Sequence, residues 1–504
     1  MKKLTYLSAL VLAAGMTACS QYEEPTPKVP VTAEEQILNV DGITVASSQY
    51  LAPNEETGDL ATIDLDAYSK LGYPIQFADV TVDESEFPAG YTLYFKMWLA
   101  DNENFDGAKE VPCTLTNGVI TSTAADIQPI YEDMFGRKAD VKEVWVRYAG
   151  YVDGDNVSNI RLNGSDYYYA TQAFYLAPIP PDFVVEPAYY LLGTINNWSV
   201  TEAIQMNHSD KDVYDDPVFT YVVDLTGGEW WWKIIPQSTY ETGNWVDGDD
   251  AAFGVEVNGD GALSGKLVGR TATEDVGAGC LNGVTGRYVL IINLEMMTYE
   301  FSPVYDYLYT PGDANNWTHA ESALIYPDPT GAYYESWLPL KGGFKFATQP
   351  DWNGTAFGAG AEAGSLSTDG GAGNLTVETE GLYCVRMSPV FLTWETLYGP
   401  VQSWGVVGGF AESSWTDGQD VVMTPDAAKQ IWTATVTFGD TDGEKEFKFR
   451  ADGAWDIQYG NGGDGLDNLV CDGGSGNLVA PAAGTYKVTL DLSKVPYHAT
   501  LEAL

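Results

Sequence analysis

Three sets of two tryptophans and one lysine hold the residue types best suited to chemistry in this chain. They are Trp198, Lys233 and Trp245; Trp317, Lys345 and Trp352; and Trp415, Lys448 and Trp455. An indole face covers the C–H-rich side of a flat ring, and a lysine ammonium donates up to three hydrogen bonds. Neutral, hydroxyl-rich ligands need both together, because hydroxyls stripped of water must find new partners. Carbohydrate is the ligand class that fits such a set.

The spacing around these residues repeats. Each set opens with a turn ending in Trp: GTINNW at 193–198, GDANNW at 312–317 and GGFAESSW at 408–415. Asn196-Asn197, Asn315-Asn316 and Ser413-Ser414 are turn formers, so each opening Trp is expected at a loop. The Ser pair in the third copy is expected to weaken or reshape that site. The second Trp of each set also lies among turn residues, as in Gly243-Asn244-Trp245, Asp351-Trp352-Asn353 and Gly453-Ala454-Trp455. Between them, Phe344-Lys345-Phe346 and Phe447-Lys448-Phe449 alternate as strands, with Phe inward and Lys outward. In the first copy the alternation sends Trp230, Trp232 and Ile234 inward and Trp231 and Lys233 outward. All three lysines are thus expected to face solvent. The gap from Lys233 to Trp245 is longer than in the other copies, which leaves Trp231 as an alternative second ring. The competing reading is that these tryptophans plug sandwich ends and bind nothing.

Positioning such sets requires a scaffold, and the repetition itself implies tandem domains. Each copy carries a later Gly-x-Tyr strand (Gly286-Arg-Tyr288, Gly381-Leu-Tyr383, Gly484-Thr-Tyr486) whose Tyr reads as core. Short alternating runs bounded by Gly, Asn, Asp and Pro, such as Tyr91–Trp98, Val144–Tyr148 and Tyr486–Leu492, indicate antiparallel sandwiches. One helical patch, Ala124–Phe135, fits a single crossover helix. Pro-bearing joints at Ala177-Pro-Ile-Pro-Pro181, Ser302-Pro303 and Gly399-Pro400 divide the chain into 31–180, 182–303, 304–400 and 401–504. The fold class is all-β: an N-terminal immunoglobulin-like domain, then three tandem sandwiches resembling carbohydrate-binding modules.

Composition narrows the partners. Across 504 residues, 71 Asp and Glu oppose 25 Lys and Arg, a formal charge of −46. That argues against nucleic acid and anionic polysaccharides and is compatible with a neutral glycan. Cys113, Cys280, Cys384 and Cys471 fall one to a domain without CxxC spacing, so they read as small buried hydrophobes. The three histidines, His208, His319 and His498, lack metal-ligand spacing. No cofactor or metal is expected. The Asp-rich loops Asp247-Gly-Asp-Asp250 and Asp464-Gly-Leu-Asp467 lack a full calcium ligand set.

At the N-terminus, Lys2-Lys3, the apolar run Leu4–Leu12 and small residues to Ala18 form a secretory signal, residues 1–18, ending before Cys19. This resembles a bacterial lipobox, in which Cys19 carries the lipid anchor, such as palmitate. Residues 19–30 would be a flexible leader. Ser20-Gln-Tyr-Glu-Glu24 resembles the surface-export signal of Bacteroidetes lipoproteins.

With lipobox, domain order and Trp–Lys–Trp repeats together, the chain resembles the SusE/SusF-like family of outer-membrane starch-binding lipoproteins over essentially its whole length. Val144-Trp-Val-Arg147 and Val157-Ser-Asn159 resemble the strand-then-"SN" ending of that family's first domain. The resemblance implies a non-catalytic, cell-surface protein that captures starch or another α-glucan for an outer-membrane importer and a surface hydrolase. It also assigns the nine Trp and Lys residues above to aromatic platforms and donors. The alternatives are a binder of a different neutral glycan, a structural or adhesion protein, and a glycoside hydrolase. A hydrolase needs two carboxylates at a defined separation, and no carboxylate recurs at a motif-like position.

Overall fold

A computed structural model describes residues 37–54, 57–154, 157–243, 251–270, 275–471 and 473–504. The signal and leader with Cys19, Trp245 and the Asp247–Asp250 loop lie outside the described residues. The chain divides into two compact units at Asp182/Phe183.

In the first unit the strand Tyr91–Ala100 pairs along its length with Lys142–Gly154. Phe95, Met97 and Leu99 from the first strand and Val144, Val146 and Tyr148 from the second point to one side and are buried. Against that face packs a second sheet built from Ile43–Ser47, Ile75–Val82, Val119–Ser122 and Thr114–Thr116, with Phe77 meeting Phe174 edge-on. The helix expected over Ala124–Phe135 is present with those bounds, capped by Thr123, and turns Ile127 and Tyr131 into the core. A second helix, Leu65–Leu71, was not legible: at seven residues it shows less than two full turns of periodicity. Two edge pairings are parallel, Ile37–Leu38 with Val157–Leu162 and Thr62–Asp64 with Thr171–Ala177, where all-antiparallel pairing was expected.

The second unit contains the three repeats, each a sandwich of two antiparallel-paired sheets among the described residues. One sheet carries the opening Gly strand (Tyr189–Gly193, Leu308–Tyr309, Trp404–Gly408) beside the strand holding or adjoining the lysine (Trp230–Pro236, Phe346–Ala347, Glu446–Ala451). The other carries the Gly-x-Tyr strand (Thr285–Asn293, Leu375–Ser388, Gly484–Asp491). Tyr383 and Tyr486 are buried and Tyr288 packs against its core, as their strand positions require. The second repeat differs in one respect. Its strand Tyr334–Phe344 pairs with the Gly-x-Tyr strand, shifts register between Leu340 and Gly342, and runs on past Lys345 into the other sheet.

Candidate glycan-binding grooves

The opening loops share one construction. Gly193, Gly312 and Gly408 lie so close to the neighbouring strand that a Cβ would meet its backbone: Trp231 O at 2.0 Å, Gly343 O at 2.7 Å and Glu446 O at 2.4 Å. A bare Cα is the only solution there. The chain then turns and bonds back, the Trp amide donating to the Gly carbonyl at 2.9 Å (Trp198), 2.8 Å (Trp317) and 2.7 Å (Trp415). A side chain closes the turn by accepting the Gly amide: Asn196 Oδ1 at 2.9 Å, Asn315 Oδ1 at 3.0 Å and Ser413 Oγ at 3.1 Å. Ser413 therefore does the accepting work of Asn, and the loop closes in the same way with the Ser pair in place. Two inserted residues in this copy are absorbed by burying Phe410.

This turn puts two successive non-glycine residues in the left-handed region: Asn197 and Trp198 (φ 52° and 61°), Asn316 and Trp317 (51° and 61°), Ser414 and Trp415 (48° and 56°). Each such residue costs roughly 1 kcal/mol or more, and bulky side chains rarely adopt it. The same strained tryptophan thus occurs three times, each held by backbone bonds and presented at the surface.

In the second repeat the rings of Trp317 and Trp352 lie 6.3 Å apart at 41°, and in the third Trp415 and Trp455 lie 6.3 Å apart at 28°. Trp352 and Trp455 are 51% and 40% exposed. Packing inside a core does not explain rings so open to water. In the first repeat Trp198 is exposed by 37%, while Trp245 lies outside the described residues. Trp231 faces outward there, half-buried, its indole donating to Glu229 at 3.2 Å.

The lysines require a correction. Their Phe and Trp neighbours do point into the cores, so the alternation holds. Yet Lys233 and Lys448 are buried and Lys345 is half-buried, where all three were expected in solvent. A loop arriving from later in each repeat covers the outward face. It supplies Asp275 to Lys233 at 3.3 Å, the Ala372 carbonyl to Lys345 at 2.7 Å, and Ser475 to Lys448 at 3.2 Å, with Gln458 adding a second acceptor at 3.1 Å. The same loop pairs Gly277, Gly373 and Gly476 with Val255, Ala359 and Asn461. Burial pulls the Lys233 ammonium below the ordinary lysine range, with Asp275 opposing. In the first repeat a tight apolar layer of Leu192, Ile235 and Val276 completes the cover.

Lys345 lines an open groove. That groove measures about 1160 Å³, somewhat larger than the roughly 300–1,000 Å³ of typical small-ligand pockets, and is walled by Trp317, Trp352, Tyr305, Gln349, Asn353 and Asn374. The amides, Tyr305 and a lysine with donors to spare offer both donors and acceptors beside the two rings. The third ring pair recruits a residue not expected, Arg450. It is fully buried, its guanidinium 4.6 Å from the Trp455 ring, and it donates to Asp420 at 2.7 Å and Asp417 at 2.9 Å. The alternation Lys448-Phe449-Arg450 puts it on the platform side, but the other two copies have no arginine at the matching position.

Each described platform has a carboxylate or imidazole behind it. His319 meets Trp352 edge-on at 4.4 Å, and burial holds its ring below the ordinary histidine range, hence neutral at pH 7. Asp313 accepts the Gly343 amide at 2.7 Å and the Trp317 indole at 2.8 Å. These bonds, the first being the larger effect, hold its carboxyl below the usual aspartate range. The folded state thus favours the ionised form. Its stabilisation is complete above the unfolded pKa and is lost as pH falls through the lowered folded value. Trp317 should therefore stay tethered from pH 7 down past about 4, the ordinary Asp value, and be released only below it. Indole fluorescence or ligand titration of the second groove against pH should show that late step, and Asp313→Asn should abolish it. A step at or above pH 4 would refute the tether.

Residues 184–303 match the family model described as SusF, first starch specific carbohydrate-binding module. No protein with curated annotation matches the chain. Among solved structures, the crystal structure of SusF from Bacteroides thetaiotaomicron matches at 19% identity over 92% of this chain and 100% of that chain, with a TM-score of 0.34. Over its first repeat, the chain is therefore SusF-like, in agreement with the SusE/SusF-like resemblance carried by its motifs.

Proposed function

We propose that this protein is a non-catalytic binder of neutral polysaccharide, with starch or another α-glucan as the favoured ligand. The observation that carries the reading is the second groove: one exposed and one half-exposed ring at 41°, a lysine and three amides around one open cavity. Rings set at an angle cradle a chain that curves, as α-linked glucose does, better than one that lies flat. The likeness of residues 184–303 to a starch-specific module supports the same ligand. Cys19 would anchor the protein at the outer-membrane surface, where it would hold polysaccharide for an importer and a surface hydrolase. Residues 31–180 would serve as the immunoglobulin-like base, and 182–303, 304–400 and 401–504 as the three binding modules.

Affinity electrophoresis of the protein lacking Cys19 tests this reading. Amylopectin and pullulan in the gel should retard it; dextran, xylan and inulin should not. Replacing Trp198, Trp317 and Trp415 together by Ala should abolish the retardation. Retardation by a different glycan alone would discard starch, and none at all would make the tryptophans structural. Incubation with oligosaccharide should yield no products.

A further inference from the structure

The core of the third repeat reaches across the joint into the second. Trp337, on the second repeat's strand Tyr334–Phe344, is fully buried, and its neighbours on the strand divide between two destinations. Tyr334, Leu338 and Leu340 fill their own core, whereas Trp337 joins Leu382, Cys384 and Val401 in the core of the third repeat. There its ring meets Trp404 edge-on at 5.2 Å, and its indole donates to the Tyr459 hydroxyl at 2.9 Å. Its backbone amide donates across the joint to the Leu492 carbonyl at 3.1 Å. Gln430 of the third repeat, itself buried, donates back to the carbonyls of Leu324 at 2.7 Å and Trp337 at 3.1 Å. Tyr398 stacks on Trp337 and donates to the Cys471 carbonyl, and Cys384 contacts the Tyr497 hydroxyl at 3.4 Å.

The joint between the second and third repeats leaves a cleft of only about 160 Å³, while the one between the first and second is wider. Phe391 and Val390 of the second repeat border an open cleft of about 560 Å³ against Val218, Lys266 and Glu300 of the first. A close-packed apolar joint with satisfied polar groups transmits position, while a wide cleft permits movement.

We propose that the second and third repeats form one rigid body carrying two ring-pair sites, and that Trp337 is the positioning residue that fixes their spacing. The pair then prefers an α-glucan long enough to occupy both sites over short oligosaccharides. This rests on the function proposed above. Its physical basis is effective concentration: once one site is filled, the second binding event is intramolecular, and a fixed spacing removes the entropy of searching.

The test uses the full chain without Cys19 and with Trp198→Ala to silence the first site. This protein should bind amylopectin more tightly than the α-1,4-linked glucose heptasaccharide, each measured by calorimetric titration. Trp337→Ala should lower that preference by about tenfold, a part of the roughly hundredfold or more that linking two sites can add, and leave heptasaccharide affinity unchanged. The milder Gln430→Ala should do the same in part, and covers the case in which Trp337→Ala fails to fold. Trp337→Phe, which keeps a ring in the joint, should retain most of the preference. An unchanged preference in a variant that still binds heptasaccharide would overturn the proposal. Scanning calorimetry gives a readout independent of glycan, since the two repeats should melt in one transition. Two separate transitions for them in the parent protein would also overturn it. If the parent binds neither ligand, the glycan reading fails, and calorimetry alone decides whether the joint is rigid.

Discussion

Replacing Trp317 by Ala, in a chain whose other platforms are removed by Trp198→Ala and Trp415→Ala, is expected to cost the second groove at least thirtyfold in α-glucan affinity. Trp317 and Trp352 form the two walls against which a sugar ring would rest. Truncating a tryptophan at the centre of a binding site typically removes about 2 kcal/mol or more, and about 1.4 kcal/mol is a tenfold change. The fold should tolerate the change. Trp317 is surface-exposed in part, and its loop is closed by Asn315 and Gly312, which remain. Titration calorimetry with a heptasaccharide measures the loss, and the melting temperature checks that the loop is intact. Trp317→Phe should recover part of the affinity. Undiminished binding by a folded Trp317→Ala chain would remove this groove from the proposed function.

The largest expected effect on stability comes from Arg450→Met. Arg450 has no exposed side-chain surface, and its partner Asp420 is 8% exposed, so both charges rely on each other in place of water. Removing one member of a buried pair typically costs about 3–5 kcal/mol, because the other is left buried and uncompensated. Methionine fills the volume but leaves Asp420 without its fork of donors. Arg450→Lys should not rescue it, since an ammonium cannot span both oxygens of Asp420 while also reaching Asp417. Chemical denaturation should show the loss, and adding Asp420→Leu should recover much of it. Arg450 also hydrogen-bonds Asp417, as does Trp455 more weakly, and holds that carboxyl below the usual range. That contribution is present above the ordinary Asp pKa and disappears as pH falls through the lowered folded value. The gap between Arg450→Met and the parent should therefore narrow in strong acid. A gap that is absent at pH 7 would contradict the arrangement.

The sequence made the frame legible wherever the signal was local. Alternation in Phe447-Lys448-Phe449 places the Phe residues in the core, where they lie, and the helix over Ala124–Phe135 is bounded as its pattern implies. Repetition marked all three loops. What escaped was whatever depends on residues far along the chain. The burial of Lys233, Lys345 and Lys448 comes from residues 42, 27 and 27 positions away, and a two-residue period says nothing of a third layer lying over a sheet. Ser413 looked like a departure because residue identity was compared, whereas the loop needs only an oxygen within reach of the Gly408 amide. Trp337 escaped for a related reason. In Tyr334–Leu338 every residue is buried, so both faces of that strand are covered and no solvent-facing position breaks the pattern.

The three loops also divide their labour in a way that bears on how such a chain can change over generations. Gly193, Gly312 and Gly408, with Asn196, Asn315 and Ser413, hold the backbone without drawing on any indole. Holding the turn and meeting the ligand therefore fall to different residues a few positions apart. The displayed side chain is free to mutate under selection for a new ligand, because the turn beneath it does not depend on which ring it presents. The Asn-to-Ser exchange and the two-residue insertion in the third copy show that the turn itself also tolerates variation. A lineage could therefore duplicate this repeat and retune each copy separately, one displayed residue at a time.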